Sequence, residues 1–345
     1  MSNDTIRIGI VGAGRNTVRS HIPGFRAMPN VEIVSVCNRS RESGERVAKE
    51  HGIPNVYDHW TELVDADDTD AICIGTWPYM HCPITLRTLE RGKHVLCEAR
   101  MAMNASEAHA MLDAARSHPE LIAQLAPTRN SLEVDPIMRE LLAEKFLGRL
   151  LVIDVQVSAH TFSDADSLMH WRHDRALTGF NMMNLGQWSE TLTRWFGPAS
   201  RVMATTRVHN PYRRDASGMQ RIATVPDHVE VVCDMVCGAQ ARYQVSEVTG
   251  FATPAVWMYG SEGTLKFDVD QRVLYGARKG ESELRLIDMP KEKRGGWRVE
   301  ETFINAIRGV EPVTFATFEE GVAYMEFTEA VARSAQDGTV VSLPL

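Results

Sequence analysis

Between residues 6 and 14 the chain reads Ile-Arg-Ile-Gly-Ile-Val-Gly-Ala-Gly, an apolar run that breaks at two glycines and gives way to a helical pattern. A strand that stops at Gly-x-Gly and turns straight into a helix constrains the fold more than anything else in this sequence. The first glycine permits a tight turn, the second lets backbone approach an anion, and the helix start offers unpaired amides. Further short runs rich in Val and Ile, at 31–37, 71–75, 94–98 and 121–125, alternate with helical patterns over 40–51, 82–91 and 106–118. Nearly continuous apolar strands separated by helices predict a parallel sheet covered on both faces. The expected class is α/β, with an N-terminal doubly wound sheet of the Rossmann type. Its ligand crevice should lie at the carboxyl ends of the strands, at residues 12–17, 38–41, 76–81 and 98–100.

A length of 345 residues exceeds one ordinary core, so two domains are expected: 1–126 for the dinucleotide and 127–345 for substrate and oligomerisation. After Asp135-Pro136 the pattern changes to longer strands at 150–158, 202–207, 229–235, 242–248, 255–259 and 264–267. They predict an α+β domain built on a large, mostly antiparallel open sheet. Alternation from Arg242 to Ser246 leaves one face for solvent or another subunit, and a homodimer or homotetramer through this sheet is expected. A helix over 181–196 carries Leu185, Trp188, Leu192 and Trp195 as an apolar stripe. A last helix, 318–336, opens with Thr317 and Glu320 in capping-box spacing, closes at Gly338, and is expected to return to the first domain.

The balance of charge excludes some functions. With 45 acidic against 37 basic residues the net charge is -8, the wrong sign for a nucleic-acid binder. No apolar run approaches the ~20 residues of a membrane span. The Met-Ser-Asn-Asp-Thr start lacks the basic opening and apolar core of a signal peptide, so a cytoplasmic protein is expected. Six cysteines, at 37, 73, 82, 97, 233 and 237, form no CxxC pair and no zinc spacing. They are read as reduced, buried thiols, with Cys233 and Cys237 on one strand face, and no metal site is expected.

The glycine turn makes Gly12, Gly14, Arg15, Asn16 and Thr17 the candidate pyrophosphate cradle. Its third small position is Thr17, which leaves close helix-to-strand packing unsecured. After the second strand, where a carboxylate would hold the adenine ribose, stand Asn38, Arg39, Ser40 and Arg41. An amide does not repel a 2′-phosphate and arginines can pair with it, which favours NADP over NAD.

Two later segments carry a family resemblance. Thr76-Trp77-Pro78-Tyr79-Met80-His81 and Gly92-Lys93-His94-Val95-Leu96-Cys97-Glu98 resemble the fourth and fifth strand ends of the Gfo/Idh/MocA oxidoreductases. Those enzymes carry Thr-Pro-Asn-x-x-His and Gly-Lys-His-Val-x-x-Glu-Lys-Pro there. The resemblance continues through Trp171-Arg172 and the Gly260–Leu265 segment to the closing helix. It implies a two-domain enzyme that oxidises or reduces sugars, inositols and related polyols with NAD(P). It places Thr76, Trp77 and His81 beside the cofactor, Glu98 on the nicotinamide ribose, and Arg172 near the cofactor on the substrate side.

The departures fall where protons should move. The family's lysine after the glutamate is Ala99 here, and its proline is Arg100. In the segment matching the family's Gly-Gly-x-x-x-Asp-x-Gly-x-His, Asp becomes Asn184 and His becomes Trp188. At the three proton-handling positions, Ala99, Asn184 and Trp188 do not titrate near neutrality, and a positioned acid or base is worth ~10² to 10⁴ in rate. The substitutes expected are Tyr79, His81, Arg100 and Asn184 for catalysis, with Arg172, Asn181 and Trp188 binding substrate. Asn181, Asn184 and Trp188 are expected on one helical face. Three readings stay open: a dehydrogenase or reductase with an altered centre, a lyase or glycoside hydrolase using tightly bound NAD transiently, and an inactive dinucleotide-binding sensor.

Overall fold

The computed structural model describes residues 5–345, which form two compact units, 5–127 with Arg298–Val322, and Thr128–Trp297 with Ala323–Leu345. The first break falls one residue beyond the expected boundary. The segment 298–322, expected in the second domain, belongs to the first unit.

In the first unit six parallel strands, β1 (Ile6–Val11), β2 (Val31–Cys37), β3 (Asn55–Val56), β4 (Ala71–Ile74), β5 (His94–Cys97) and β6 (Ala123–Leu125), stand in the order β3-β2-β1-β4-β5-β6. Ile8, Ile10, Ile72, Ile74, Val95 and Leu96 are fully enclosed, as strands covered on both faces require. The order reverses between β1 and β4, which opens a crevice beyond their carboxyl ends. Five helices link the strands: α1 (Ile22–Arg26), α2 (Arg41–His51), α3 (Trp60–Asp65), α4 (His81–Glu90) and α5 (Ala105–Ser117). Ser40 caps α2, and Asn104 caps α5 by accepting from the Glu107 amide at 2.8 Å.

The second unit contains α6 (Asp135–Ala143), β7 (Leu150–Ser158), α7 (Arg175–Thr178), α8 (Leu185–Phe196) and β8 (Ala199–Arg207). A small hairpin, β9 (Tyr212–Arg214) with β10 (Gln220–Ile222), precedes β11 (His228–Met235), β12 (Gln240–Ser246), β13 (Ala255–Gly260), β14 (Gly263–Asp268), β15 (Val273–Arg278) and β16 (Arg285–Leu286). The chain closes with α9 (Val299–Ile307), α10 (Phe318–Asp337) and β17 (Val341–Ser342). Nine strands form the open sheet β16-β15-β14-β13-β7-β12-β11-β8-β17, antiparallel except where β7 meets β12. On one face Ile153, Val155, Val231, Tyr243, Met258 and Phe267 pack against Leu185, Trp188 and Leu192 of α8. Beneath α8 the Arg194 guanidinium, 5% exposed, pairs with Asp135 at 2.9 Å and Glu190 at 3.1 Å and donates to Ser131. Glu190 also accepts from the Thr128 amide, so this ion pair is a buried organiser of the α6–α8 packing.

Helix α9 belongs to the first unit, where Phe303 meets Phe25 of α1 edge to face and Thr302 accepts from Gln124 on β6 at 2.9 Å. Helix α10 straddles the division. Its capping box is present: Glu320 N–H donates to Thr317 Oγ1 and Thr317 N–H to Glu320. Within the first unit Gly321 stands against Met101 and Leu125; within the second, Phe327 packs on Tyr243. Among the cysteines, Cys237 departs from expectation. It lies in the turn after β11 and is exposed, because that strand ends at Met235.

Candidate functional site

The crevice of the first unit is built from turns that its strands hold in place. Gly12 takes φ +88°, and a Cβ there would lie 2.6 Å from the Thr76 amide nitrogen, so only glycine lets the β1 and β4 turns touch. Gly12 N–H donates to Cys37 O and Gly75 N–H to Val11 O, each at 2.8 Å. Thr17, the irregular third position, is buried and donates its hydroxyl to Gly12 O at 3.1 Å. Gly75 supplies the missing smallness, since any side chain on it would collide with Thr17. Close packing is kept, with its glycine moved to the facing turn.

Two adjoining clefts open over these turns. One, of about 220 Å³, is lined by Gly12, Ala13, Gly14, Asn38, Arg39, Ser40, Ser43, Gly75, Thr76, Trp77 and Tyr79. The other, of about 300 Å³, shares Gly12, Asn38, Arg39, Thr76 and Tyr79 and adds Val11, Cys37, Asp58, His59, Trp60 and Met80. Two observations fit a dinucleotide. A Cβ on Gly14 would meet nothing closer than Gly75 O at 3.6 Å, so that glycine is not forced by protein packing and leaves its edge of the turn open. Thr76 Oγ1 is buried at the crevice with no hydrogen-bond partner among the described residues.

The adenosine-side candidates separate. Asn38 turns its amide inward, accepting from Ala13 N–H at 2.7 Å and donating to Ser43 at 3.1 Å, so it braces the glycine turn. Arg39 lies 5.4 Å from the Trp77 ring centroid and lines both clefts. Arg41 departs from the expected phosphate contact: it lies outside both cleft linings and pairs with Glu45 at 2.8 Å and with Asp58, of the second cleft's lining, at 2.9 Å. Arg15 is exposed.

At the end of β5, Glu98 Oε1 accepts from the Asn16 amide and from His21 Nε2 at 2.8 Å. His21 is fully enclosed, and its other nitrogen donates to Glu300 Oε1 of α9 at 2.5 Å. Burial works to lower the His21 pKa, but the bonds to Glu300 and Glu98 raise it to about 9, so the ring is an imidazolium at neutrality. Against its own burial, the His21 bond holds the Glu98 carboxyl below its ordinary range. Neither His21 nor Glu300 was expected. His21 sits in a π-helical turn, Thr17–His21, that swings it inward, and Glu300 is 279 residues away in sequence. Only the glycine at position 24, where a Cβ would fall 2.5 Å from Glu300 Oε2, hinted at a close approach.

Tyr79 is 37% exposed and lines both clefts. His81 corrects its expected catalytic role. The ring is buried, with Nδ1 2.8 Å from Arg100 O and Nε2 3.0 Å from Thr76 O, and burial lowers its pKa below the ordinary value. It sits between the β4 and β5 turns and is neutral at pH 7, so its single N–H donates to one of these two carbonyl oxygens. Arg100 follows a cis peptide bond from Ala99 and is 7% exposed.

In the second unit the expected helical face does not form. Met183 takes φ +46° and α8 starts at Leu185, so Asn181 is buried in the preceding turn, Asn184 is an exposed N-cap, and Trp188 points into the core. Asn181 donates to Thr178 O at 2.7 Å. Trp188 is fully enclosed, 6.2 Å from the Phe267 ring centroid, and so is no stacking platform for substrate. Arg172 is exposed and lies 4.3 Å from the Trp171 ring centroid.

A parallel sheet ordered around a Gly-x-Gly turn, with a carboxylate at the β5 end, is the arrangement of a dinucleotide-binding fold. Residues 6–124 match the oxidoreductase family with an NAD-binding Rossmann fold, and residues 137–266 match the GFO/IDH/MocA C-terminal domain. The chain belongs to the Gfo/Idh/MocA oxidoreductase family. It is 32% identical over 173 residues to 1,5-anhydro-D-fructose reductase of Ensifer adhaerens, 50% of each chain, so that match spans half the reductase's length. It is 28% identical over 349 residues to D-xylose 1-dehydrogenase (NADP(+)) 2 of Haloferax volcanii, 97% of this chain and 99% of that one. Its fold resembles levoglucosan dehydrogenase in complex with NADH and levoglucosan, with a TM-score of 0.88 at 20% identity over 99% of this chain and 100% of the other.

Proposed function

We propose that this oxidoreductase transfers hydride between a nicotinamide dinucleotide and a carbinol carbon of a cyclic or polyhydroxylated small molecule, a sugar or a polyol, with an altered proton-handling centre. The observation that carries the reading is Glu98: an ionised carboxylate fixed at the end of β5, in the same unit as an open glycine turn. The sugar and diol chemistry in the names of the relatives supports the substrate class. A bound nicotinamide dinucleotide supplies the hydride donor or acceptor.

The chain's own residues do the rest. Amides of the Gly12–Thr17 turn bind the diphosphate, Thr76 and Trp77 flank the cofactor, and Glu98 accepts from the nicotinamide ribose hydroxyls. Alanine at 99 moves no proton, so Tyr79 takes the role of acid or base and Arg100 that of fixed cation, while His81 positions both turns. Of the second unit's candidates, Asn184 and Arg172 are exposed, whereas Asn181 and Trp188 are buried. Asn38 in place of a carboxylate, with Arg39 and Ser40 in the cleft lining, supports NADP over NAD. The outer face of the large sheet, where Met203, Val232, Val152 and Tyr259 are exposed between charged pairs such as Arg242 with Asp154, is the surface proposed to form a homodimer or homotetramer.

The test is nicotinamide absorbance followed with a panel of aldoses, anhydrosugars and polyols, beside calorimetric binding of NADH and NADPH. Turnover with at least one polyol is expected, with Tyr79→Phe losing ~10²-fold in kcat and keeping its cofactor affinity. Uptake of neither coenzyme would remove the proposal.

A further inference from the structure

We propose that His21, clamped as a cation by Glu300, is a positioning residue that holds Glu98 ionised and oriented for the nicotinamide ribose. The inference rests on the cofactor reading above and deepens it. Both bonds that reach the Glu98 carboxylate fall on Oε1, from His21 and Asn16, while Oε2 receives none among the described residues. The carboxylate keeps 15% of its surface, whereas His21 keeps none and Glu300 only 4%. A carboxylate pinned by one oxygen presents the other in a fixed direction, where its two lone pairs can accept from vicinal hydroxyls.

The three groups come from three parts of the unit: the π-turn after β1, the end of β5 and α9. Gly24 clears the way, since a Cβ on it would stand 2.5 Å from Glu300 Oε2. One imidazolium between two carboxylates leaves a single net negative charge, and a lone buried Glu98 would instead be pushed towards its neutral form, a poorer acceptor. Glu300 supplies the second carboxylate that keeps the His21 proton in place. The other titratable groups that feel Glu98 are His81, Cys73 and Cys97, all buried, with burial lowering the His81 pKa and keeping both thiols protonated.

The test measures binding by calorimetry from pH 6 to 10 for NADPH, NADH and ADP, with the His21 ring followed by NMR titration. ADP reaches the glycine turn and lacks the nicotinamide ribose. For the wild type, coenzyme affinity is expected to hold to pH 8 and to fall as pH rises through about 9, together with loss of the His21 proton. His21→Gln should weaken NADPH and NADH about tenfold and leave ADP unchanged. Glu300→Gln keeps an acceptor of the same shape and removes the charge, so it should lower the pH at which both the NMR signal and the affinity change; it also serves if His21→Gln fails to fold. Coenzyme binding with the wild-type affinity and pH profile in the folded variants would overturn the role of His21, as would equal loss of ADP binding. Failure of the wild-type protein to bind any coenzyme would instead remove the cofactor reading itself.

Discussion

Residue by residue, burial decides which candidates can act. Trp188 and His81 look equally functional in the sequence, and both are sealed by their neighbours. Trp188→Ala should cost about 3–5 kcal/mol of stability, as large-to-small changes at enclosed aromatics do, measurable as a lower urea midpoint at unchanged slope. His21 gives a second residue-level prediction, in pH. Its folded pKa, about 9, stands above the ordinary 6.5, so its contribution is complete below about pH 6.5 and is lost as pH rises through 9. The difference corresponds to about 3 kcal/mol. Urea unfolding across that window should show stability declining in the wild type and a flatter profile in His21→Gln; identical slopes would refute the assignment. Glu98 works in the opposite sense, contributing above its ordinary value and losing that contribution as pH falls through its depressed one.

At the level of elements, turns and caps carry the site. Gly12→Ala adds a Cβ at a positive φ and into the Thr76 backbone, so the β1 and β4 turns must separate. Loss of coenzyme binding is expected in calorimetry while far-ultraviolet dichroism keeps the strand and helix signal. Thr317→Ala removes the cap of α10 and should lower stability by about 1 kcal/mol, seen as a small drop in melting temperature. The glycine turn, the α10 cap and most strands of the two sheets were readable because each depends on neighbours a few residues apart, whereas β3, β15, β16 and β17 were not expected. Helix α8 was placed four residues early because the apolar stripe says nothing of the left-handed turn at Met183 that breaks the chain before Leu185.

For the whole molecule, the large sheet poses the question of assembly. One face is filled by α8 and its partners, while the other carries Met203 and Val232 as a cross-strand pair beside the Arg242–Asp154 pair. Val232→Lys should shift the sedimentation coefficient from oligomer to monomer without altering the dichroism spectrum; a wild type that sediments as a monomer would remove that surface from consideration.

By itself the sequence determined the two-sheet architecture and the crevice at the β1 and β4 ends, because hydrophobic period and turn chemistry are local properties. Only the tertiary structure decided that Arg41 is spent on Glu45 and Asp58, that Trp188 is core, and that Glu98 shares a proton-bearing partner with Glu300. Those outcomes depend on which distant segments meet and on the water they exclude. The pairing of residues 21 and 300 is written in no local pattern, since it forms only when 298–322 folds back against the first sheet's unit.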